Sequence, residues 1–139
     1  MKILKQTLLL TFAIVGIAVA RESSIAGTWQ GKLHDLPAIT LSVTDEGGNL
    51  SGTILFYLLR YDGQAWTVDK EGSVPLPLID PKLDGKLFSF KVSHREAHPP
   101  ETLNDPPVVF EMRLTGTNQA ELKNMSEDQD DSVKMLREE

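Results

Sequence analysis

A pair of histidines flanking a glutamate is the first place in this sequence where chemistry could be expected. They stand in the run His94-Arg95-Glu96-Ala97-His98, and two prolines follow immediately. A zinc-protease box requires His-Glu-x-x-His on a helix, so that both imidazoles reach one ion. Here the glutamate is displaced, the prolines oppose a helix, and the spacing sets no third ligand. The segment therefore predicts the end of a strand and no metal site.

The other groupings of reactive side chains also lack the pattern of a site. The acidic run from Glu127 to Asp131 lacks the ligand spacing and the glycine of a calcium loop, so it predicts a hydrated turn. His34 beside Asp35 has no further partner set by spacing. The chain has no cysteine, no Gly-x-Ser-x-Gly elbow and no glycine-rich phosphate loop. We therefore assign no catalytic residue, metal ligand or cofactor.

Alternation of apolar and polar residues with a period of two predicts the strands that would position any site. The apolar sets that share this pattern are Trp29 with Leu33; Ile39, Leu41 and Val43; Phe88, Phe90 and Val92; Val108, Phe110, Met112 and Leu114; Ala120 with Leu122; and Val133 with Met135. Turn signals separate them at a spacing of ~8–12 residues, which is typical of a sandwich or barrel. The sequence predicts an all-β fold, a single antiparallel up-and-down β-barrel of about eight strands. A ninth strand around Val74 to Leu78 is the alternative.

The segment Ile54 to Leu59 departs from this pattern because it is apolar on both faces. We expect one strand, either covered from outside by a proline-rich loop or exposed as a contact surface. Long loops are predicted from Gly63 to Pro81 and from Glu96 to Pro107, because their prolines oppose pairing within a sheet. In a barrel such loops gather at one mouth, where binding tends to occur. If the alternation of Phe88 to Val92 continues, His94 points inward there.

The first twenty residues predict a secretory signal peptide. Two lysines precede an apolar core from Thr7 to Ala18, and Ala18-Val19-Ala20 supplies a small-x-small cleavage site. An uncleaved anchor is the alternative, but the apolar stretch is short for a span of ~20 residues. We expect residues 1–20 to be removed and residues 21–139 to form one domain, secreted or periplasmic, with no membrane attachment after cleavage.

Composition limits the partners of the mature chain. Removing the two lysines of the leader changes the formal net charge from −6 to −8. This charge argues against nucleic acid and anionic membranes, since both attract basic patches. The absence of cysteine means that a hydrophobic core, and not disulfides, must hold the domain together.

The runs Gly27-Thr28-Trp29-Gln30-Gly31 and Gly47-Gly48-Asn49-Leu50-Ser51-Gly52-Thr53 resemble the start of two calycin families. Lipocalin-like domains often begin Gly-x-Trp, with the ring closing one end of the barrel, and the resemblance gives Trp29 that role. Avidin-like proteins also begin Gly-Thr-Trp, but Gly31 and Asp35 replace their ureido-binding residues and only Trp66 remains of their later tryptophans. Biotin binding is therefore not implied. The chain is also similar to small exported bacterial domains that begin Gly-Thr-Trp-x-Gly and have no known activity.

Three functions are compatible with such a barrel. The first is binding of a small apolar or amphipathic molecule, because an eight-stranded barrel is wide enough either for its own side chains or for one small ligand. The candidate ligand-binding residues are Trp29, Phe56, Phe88, Phe90, His94, Phe110 and Met112. The second is a filled barrel that acts as an interaction module, forming a homo-oligomer through Ile54, Phe56 and Tyr57. The third is an enzyme in which His94 works with a carboxylate, Glu96 or Glu111.

Overall fold

Every regular element in the described part of the chain is a β-strand. The computed structural model describes residues 25–69, 74–93, 106–126 and 132–138. The strands are β1 (Gly27–Leu33), β2 (Leu36–Glu46), β3 (Asn49–Phe56), β4 (Leu58–Tyr61), β5 (Trp66–Asp69), β6 (Leu76–Pro77), β7 (Ile79–Asp84), β8 (Leu87–Val92), β9 (Val108–Gly116), β10 (Gln119–Asn124) and β11 (Ser132–Arg137). Within these residues we find no helix of the length and apolar character that crossing a bilayer requires.

Nine of the strands form one antiparallel sheet that is nearly closed into a barrel. Their order is β6-β3-β2-β1-β11-β10-β9-β8-β7, so neighbours in the sheet are mostly neighbours in the chain. The two outermost strands, β6 and β7, belong to one stretch of chain interrupted at Leu78, whose N–H donates to the carbonyl of Gly52 in β3 (3.0 Å). The predicted up-and-down barrel is confirmed, and its ring contains eight chain segments because β6 and β7 share one of them.

The alternation read from the sequence corresponds to burial. Phe88, Phe90 and Val92 are buried in β8, whereas Ser89 is partly and Lys91 fully exposed. The buried apolar residues form a single core cluster inside the barrel, and they are Ile25, Trp29, Ala38, Ile39, Leu41, Val43, Ile54, Phe88, Phe90, Val92, Phe110, Met112, Ala120, Leu122 and Met135. The interior is therefore occupied by the side chains of the barrel itself.

The prediction of one strand from Ile54 to Leu59 is wrong. Strand β3 ends at Phe56, and β4 then pairs with β5 in a separate two-stranded sheet. The ladder between β2 and β3 ends with the bond from the Tyr57 N–H to the Ala38 carbonyl (2.9 Å). The chain therefore turns away from the barrel at Tyr57.

The prediction of a long loop from Gly63 to Pro81 is also wrong. This stretch contains β5, β6 and the start of β7, and β6 lies within the alternative strand around Val74 to Leu78. Its prolines are tolerated because of where they stand. Pro77 belongs to a strand of only two residues, and Pro81 lies at the register shift between Ile79 and Lys82. At such irregular positions proline deprives the sheet of few ladder hydrogen bonds.

The meander gives the barrel two different ends. At one, which we call the turn end, the chain reverses in short turns at residues 47–48, 85–86 and 117–118. At the other, the loop end, lie the turn between β1 and β2 and the β4–β5 hairpin. Strands β8 and β10 also finish at the loop end, and β9 and β11 begin there. The predicted histidine segment and acidic run, with His94, Glu96, His98 and Glu127–Asp131, fall outside the described residues, as does the leader, residues 1–20.

Candidate functional site

The residues predicted to bind a ligand lie mostly in the core of the barrel. Trp29, Phe88 and Met112 are fully buried, and Phe90 and Phe110 nearly so. All five belong to the single core cluster and pack within it. Their apolar surface is thus covered by protein atoms in this structure, and we see them filling the barrel.

Phenylalanine rings connect this core to the loop end. Phe56 is 38% exposed at the end of β3, and its ring centroid lies 5.7 Å from that of Phe110. Phe110 stacks on Phe90 at 5.5 Å, and Phe90 contacts Phe88 at 5.4 Å. Each aromatic pair at such a separation stabilises the fold by ~0.5–1.5 kcal/mol, in addition to the effect of the apolar area that it buries. The row is continuous from the half-exposed Phe56 to the fully buried Phe88.

Trp29 is fully buried on β1. Its indole N–H donates to the carbonyl of Ile25 (2.9 Å), so the polar atom of this buried ring is satisfied. The guanidinium carbon of Arg137, on the paired strand β11, lies 4.4 Å from the ring centroid. This is the geometry of a cation–π contact. The burial of Trp29 is compatible with the closing role that the resemblance predicts.

The loop end, in contrast, carries apolar side chains that are exposed. Of the eight large apolar residues exposed in the described part of the chain, seven lie at this end, and Leu136 is the exception on the barrel wall. The seven are Leu33, Phe56, Leu58, Tyr61, Trp66, Val74 and Met125. We call them the loop-end surface. Exposed apolar side chains gathered at one end of a small domain are candidates for a site of interaction.

At the centre of the loop-end surface three rings form an aromatic cluster, His34, Tyr61 and Trp66. The imidazole of His34 stacks on the indole of Trp66, with centroids 4.2 Å apart and planes 6° from parallel. The Tyr61 ring lies 5.2 Å from Trp66 at an angle of 40°. Tyr61 and Trp66 are directly opposite each other in the β4–β5 pair. The cluster therefore joins the hairpin to the β1–β2 turn.

The backbone on both sides holds the aromatic cluster in place. His34 and Asp35 have φ angles of 52° and 62°, a left-handed conformation that two-residue hairpin turns require and that asparagine and glycine adopt most easily. In the hairpin, the Asp62 carboxylate accepts hydrogen bonds from the N–H groups of Gln64 (2.8 Å) and Ala65 (2.9 Å). The Ala65 bond, followed by the Gln64 bond, lowers the pKa of Asp62. The turn between the two exposed rings is therefore well defined.

The two faces of the β4–β5 hairpin differ in character. Leu59 packs against the barrel core. Tyr61 is two residues further along the same strand and therefore lies on the same face of the hairpin. The other face carries Leu58, which is exposed, and an ion pair between Arg60 and Asp69 (3.2 Å). The segment is apolar on both faces because Leu58 and Leu59 lie on opposite faces of the hairpin. Leu59 packs on the core, and Leu58 is exposed.

We expect His34→Asn to separate the stacking from the fold. Asparagine tolerates the left-handed backbone, so the free energy of unfolding should change by less than about 1 kcal/mol. Loss of the imidazole should uncover one face of Trp66 and raise the quenching of its fluorescence by acrylamide. Asp35→Asn is the matched control, because it changes the same turn but leaves the ring. Equal quenching in both variants would show that His34 does not cover Trp66 in solution.

The groups considered for catalysis or metal binding are not brought together in the described residues. Glu111 points away from the core, since Phe110 and Met112 on either side of it are buried, and its cross-strand neighbours are Ser89 and Lys123. It therefore does not line the inside of the mouth as the enzyme alternative requires. Within the part of the chain that is described, no three His, Asp or Glu side chains are close enough to share a metal ion.

The sequence singled out the turns of this site but not the site itself. Trp66 was noted only for its likeness to an avidin tryptophan, and His34 only for its neighbour Asp35. A usable signal was present in Tyr61 and Trp66, because two aromatic residues flanking a turn are typical of a cross-strand pair. The contact with His34 joins distant parts of the chain and has no local signature.

Comparison with known proteins gives no relative, since no protein family, curated protein or solved structure matches this chain. The architecture itself, an all-strand antiparallel barrel nearly closed on itself, is compatible with a calycin-like fold. What the loop end does must therefore be argued from its own residues.

Proposed function

We propose that this chain is an exported, non-enzymatic binding protein that holds a small amphipathic ligand at its loop-end surface. The observation that carries the proposal is the gathering of exposed apolar side chains at one end of the barrel. The turn end and the wall supply only Leu136 among such residues in the described ranges. Functional loops on a rigid β scaffold are a common arrangement for binding.

The interior is a less suitable place for the ligand than the loop end. To enter it, a molecule would have to displace side chains such as Phe90 and Met112, which pack in the core cluster. Protein interiors are packed as densely as organic crystals, and opening them is costly. At the loop end Tyr61 and Trp66 already have exposed ring surface, and the ligand needs no rearrangement of the core.

Amide NMR with a mixed set of small amphipathic fragments tests this proposal. We expect shifts to concentrate on the β1–β2 turn and the β4–β5 hairpin, and to disappear in Trp66→Ala. Leu136→Ala, which removes an exposed apolar side chain from the wall, should leave them unchanged. Shifts centred on β8 and β9, or no shifts with any fragment, would contradict the proposal.

A second candidate is contact with another copy of this chain. It is favoured by the exposure of Phe56 and Leu58 on either side of Tyr57 at the root of the hairpin. Ile54, which the sequence added to this surface, is fully buried and faces the core. Sedimentation should then detect a dimer that Leu58→Lys abolishes, because a charge in an apolar interface is costly. A monomer at all concentrations would exclude this candidate.

Export is part of the proposal and is supported by the leader-like residues 1–20. The mature chain would then be the single domain 21–139. Expression of the full chain in a bacterium, followed by N-terminal sequencing of the periplasmic fraction, tests it. We expect the first residue to be Arg21. Retention of Met1 in the membrane fraction would contradict cleavage.

A further inference from the structure

We propose that the aromatic cluster is a stacking site for a neutral saccharide ring. The inference deepens the proposed function, on which it rests, by naming the class of ligand. A pyranose ring has a face of C–H groups that packs on aromatic rings and an edge of hydroxyl groups that needs hydrogen-bond partners. The cluster and its surroundings match both requirements.

The apolar requirement is met by Tyr61 and Trp66. They are 57% and 40% exposed, and they lie directly opposite each other on paired strands with a fixed angle of 40° between their planes. His34 stacks on Trp66 from one side and holds the indole in place. A surface formed in advance loses little side-chain entropy when a ligand binds, which favours affinity.

The polar requirement is met by residues next to the rings in the two turns. Asp35 follows His34, while Asp62 and Gln64 stand in the turn between Tyr61 and Trp66, and all three are exposed. Their carboxylate and amide groups can accept hydrogen bonds from hydroxyls, and the amide of Gln64 can also donate. Exposed aspartates are ionised at neutral pH, so Asp35 and Asp62 can accept charge-assisted hydrogen bonds.

Other classes of small ligand match the cluster less well. An aliphatic chain is usually held in a cleft that buries most of its surface, and these rings are partly exposed where the β4–β5 hairpin turns. A phosphorylated or sulfated ligand would meet Asp35 and Asp62 and be repelled. A neutral ring with apolar faces and a hydroxyl edge needs neither a deep cleft nor a basic residue.

The indole N–H signals of the two tryptophans provide the test. The full mature chain is titrated with cellohexaose, chitohexaose and mannohexaose, and the indole resonances are followed by NMR. We expect at least one of these to shift the Trp66 signal saturably, while the Trp29 signal, buried and bonded to Ile25, stays in place. Followed through the backbone amide signals, Trp66→Ala and Tyr61→Ala should each weaken binding about tenfold or more. Leu136→Ala should bind normally.

The outcomes separate this inference from the proposed function. If amphipathic fragments shift the loop end but none of the three saccharides does, the saccharide inference is overturned and the proposed function stands. If neither fragments nor saccharides act there, both fail. Saccharide binding that survives in both Trp66→Ala and Tyr61→Ala places the ligand elsewhere and overturns the inference.

Discussion

Trp29→Ala is expected to lower the free energy of unfolding by about 3–5 kcal/mol, the usual cost of removing a buried tryptophan from a core. The ring is fully buried and lies against the Arg137 guanidinium. Its removal opens a cavity, deletes the hydrogen bond to the Ile25 carbonyl and takes the aromatic face from the arginine. Since the free energy of unfolding of a small domain is only about 5–15 kcal/mol in total, the variant should be close to the limit of folding.

Urea denaturation followed by far-UV circular dichroism measures this loss. Trp66→Ala is the matched control, because it removes the same side chain from a partly exposed position, where the loss should come mainly from two aromatic contacts of ~0.5–1.5 kcal/mol each. A Trp29→Ala variant as stable as Trp66→Ala would mean that Trp29 does not seal the barrel. If Trp29→Ala does not fold, Trp29→Phe keeps a ring without the N–H donor and should give a smaller, measurable loss.

Gly52→Ala is expected to produce the second large effect, at the upper end of the ~1–3 kcal/mol typical of overpacking. A Cβ built on Gly52 would overlap the backbone carbonyl oxygen of Ser42 on the paired strand, and it would approach Leu78 at 3.2 Å. Backbone cannot move aside as a side chain can. The Gly52 carbonyl also accepts the hydrogen bond from Leu78 that brings the two sides of the barrel together, so the substitution should disturb closure.

Alanine at two other glycines should cost less than at Gly52, so the three substitutions can be ranked by their loss of stability. At Gly31 the added Cβ would meet the Met135 sulfur at 2.6 Å and a Val133 methyl at 2.9 Å. A methionine side chain can shift, so Gly31→Ala should cost less than Gly52→Ala. At Gly116 the nearest atom, in Gln119, is at an ordinary 3.7 Å, and alanine there should be neutral or slightly stabilising. Denaturation curves of all three give the order, and an equal cost at Gly52 and Gly116 would contradict the packing argument.

The strands were predictable from the sequence wherever one face packs on the core and the other faces solvent. In β8 and β9 the period of two identified the residues that prove to be buried, including Phe88, Phe90, Phe110 and Met112. It failed at Leu58 and Leu59, because the first is exposed and the second packs on the core. Periodicity reports local burial, and it does not show that the chain leaves the barrel after Tyr57 to form the separate β4–β5 hairpin.

The candidate site was less predictable than the fold. Whether Phe88 and Phe90 hold a ligand or fill the barrel depends on how side chains from opposite walls meet, and no local pattern carries that information. The stacking of His34 on Trp66 likewise depends on where the β4–β5 hairpin comes to rest. The sequence predicts binding at the mouth to which the long connections belong, and this stays a prediction.

The pairing of β1 with β11 has a consequence for how the molecule acquires its structure. Trp29 pairs with Arg137, and the Gln30 amide meets the Glu138 carboxylate across 108 positions of the chain. During synthesis β1 must therefore wait, unpaired on one side, until β11 has left the ribosome. Contacts between such distant residues slow folding because a long loop must be closed before they form. A chain that folds late remains unfolded for longer, and an unfolded chain is what a protein-translocating channel accepts.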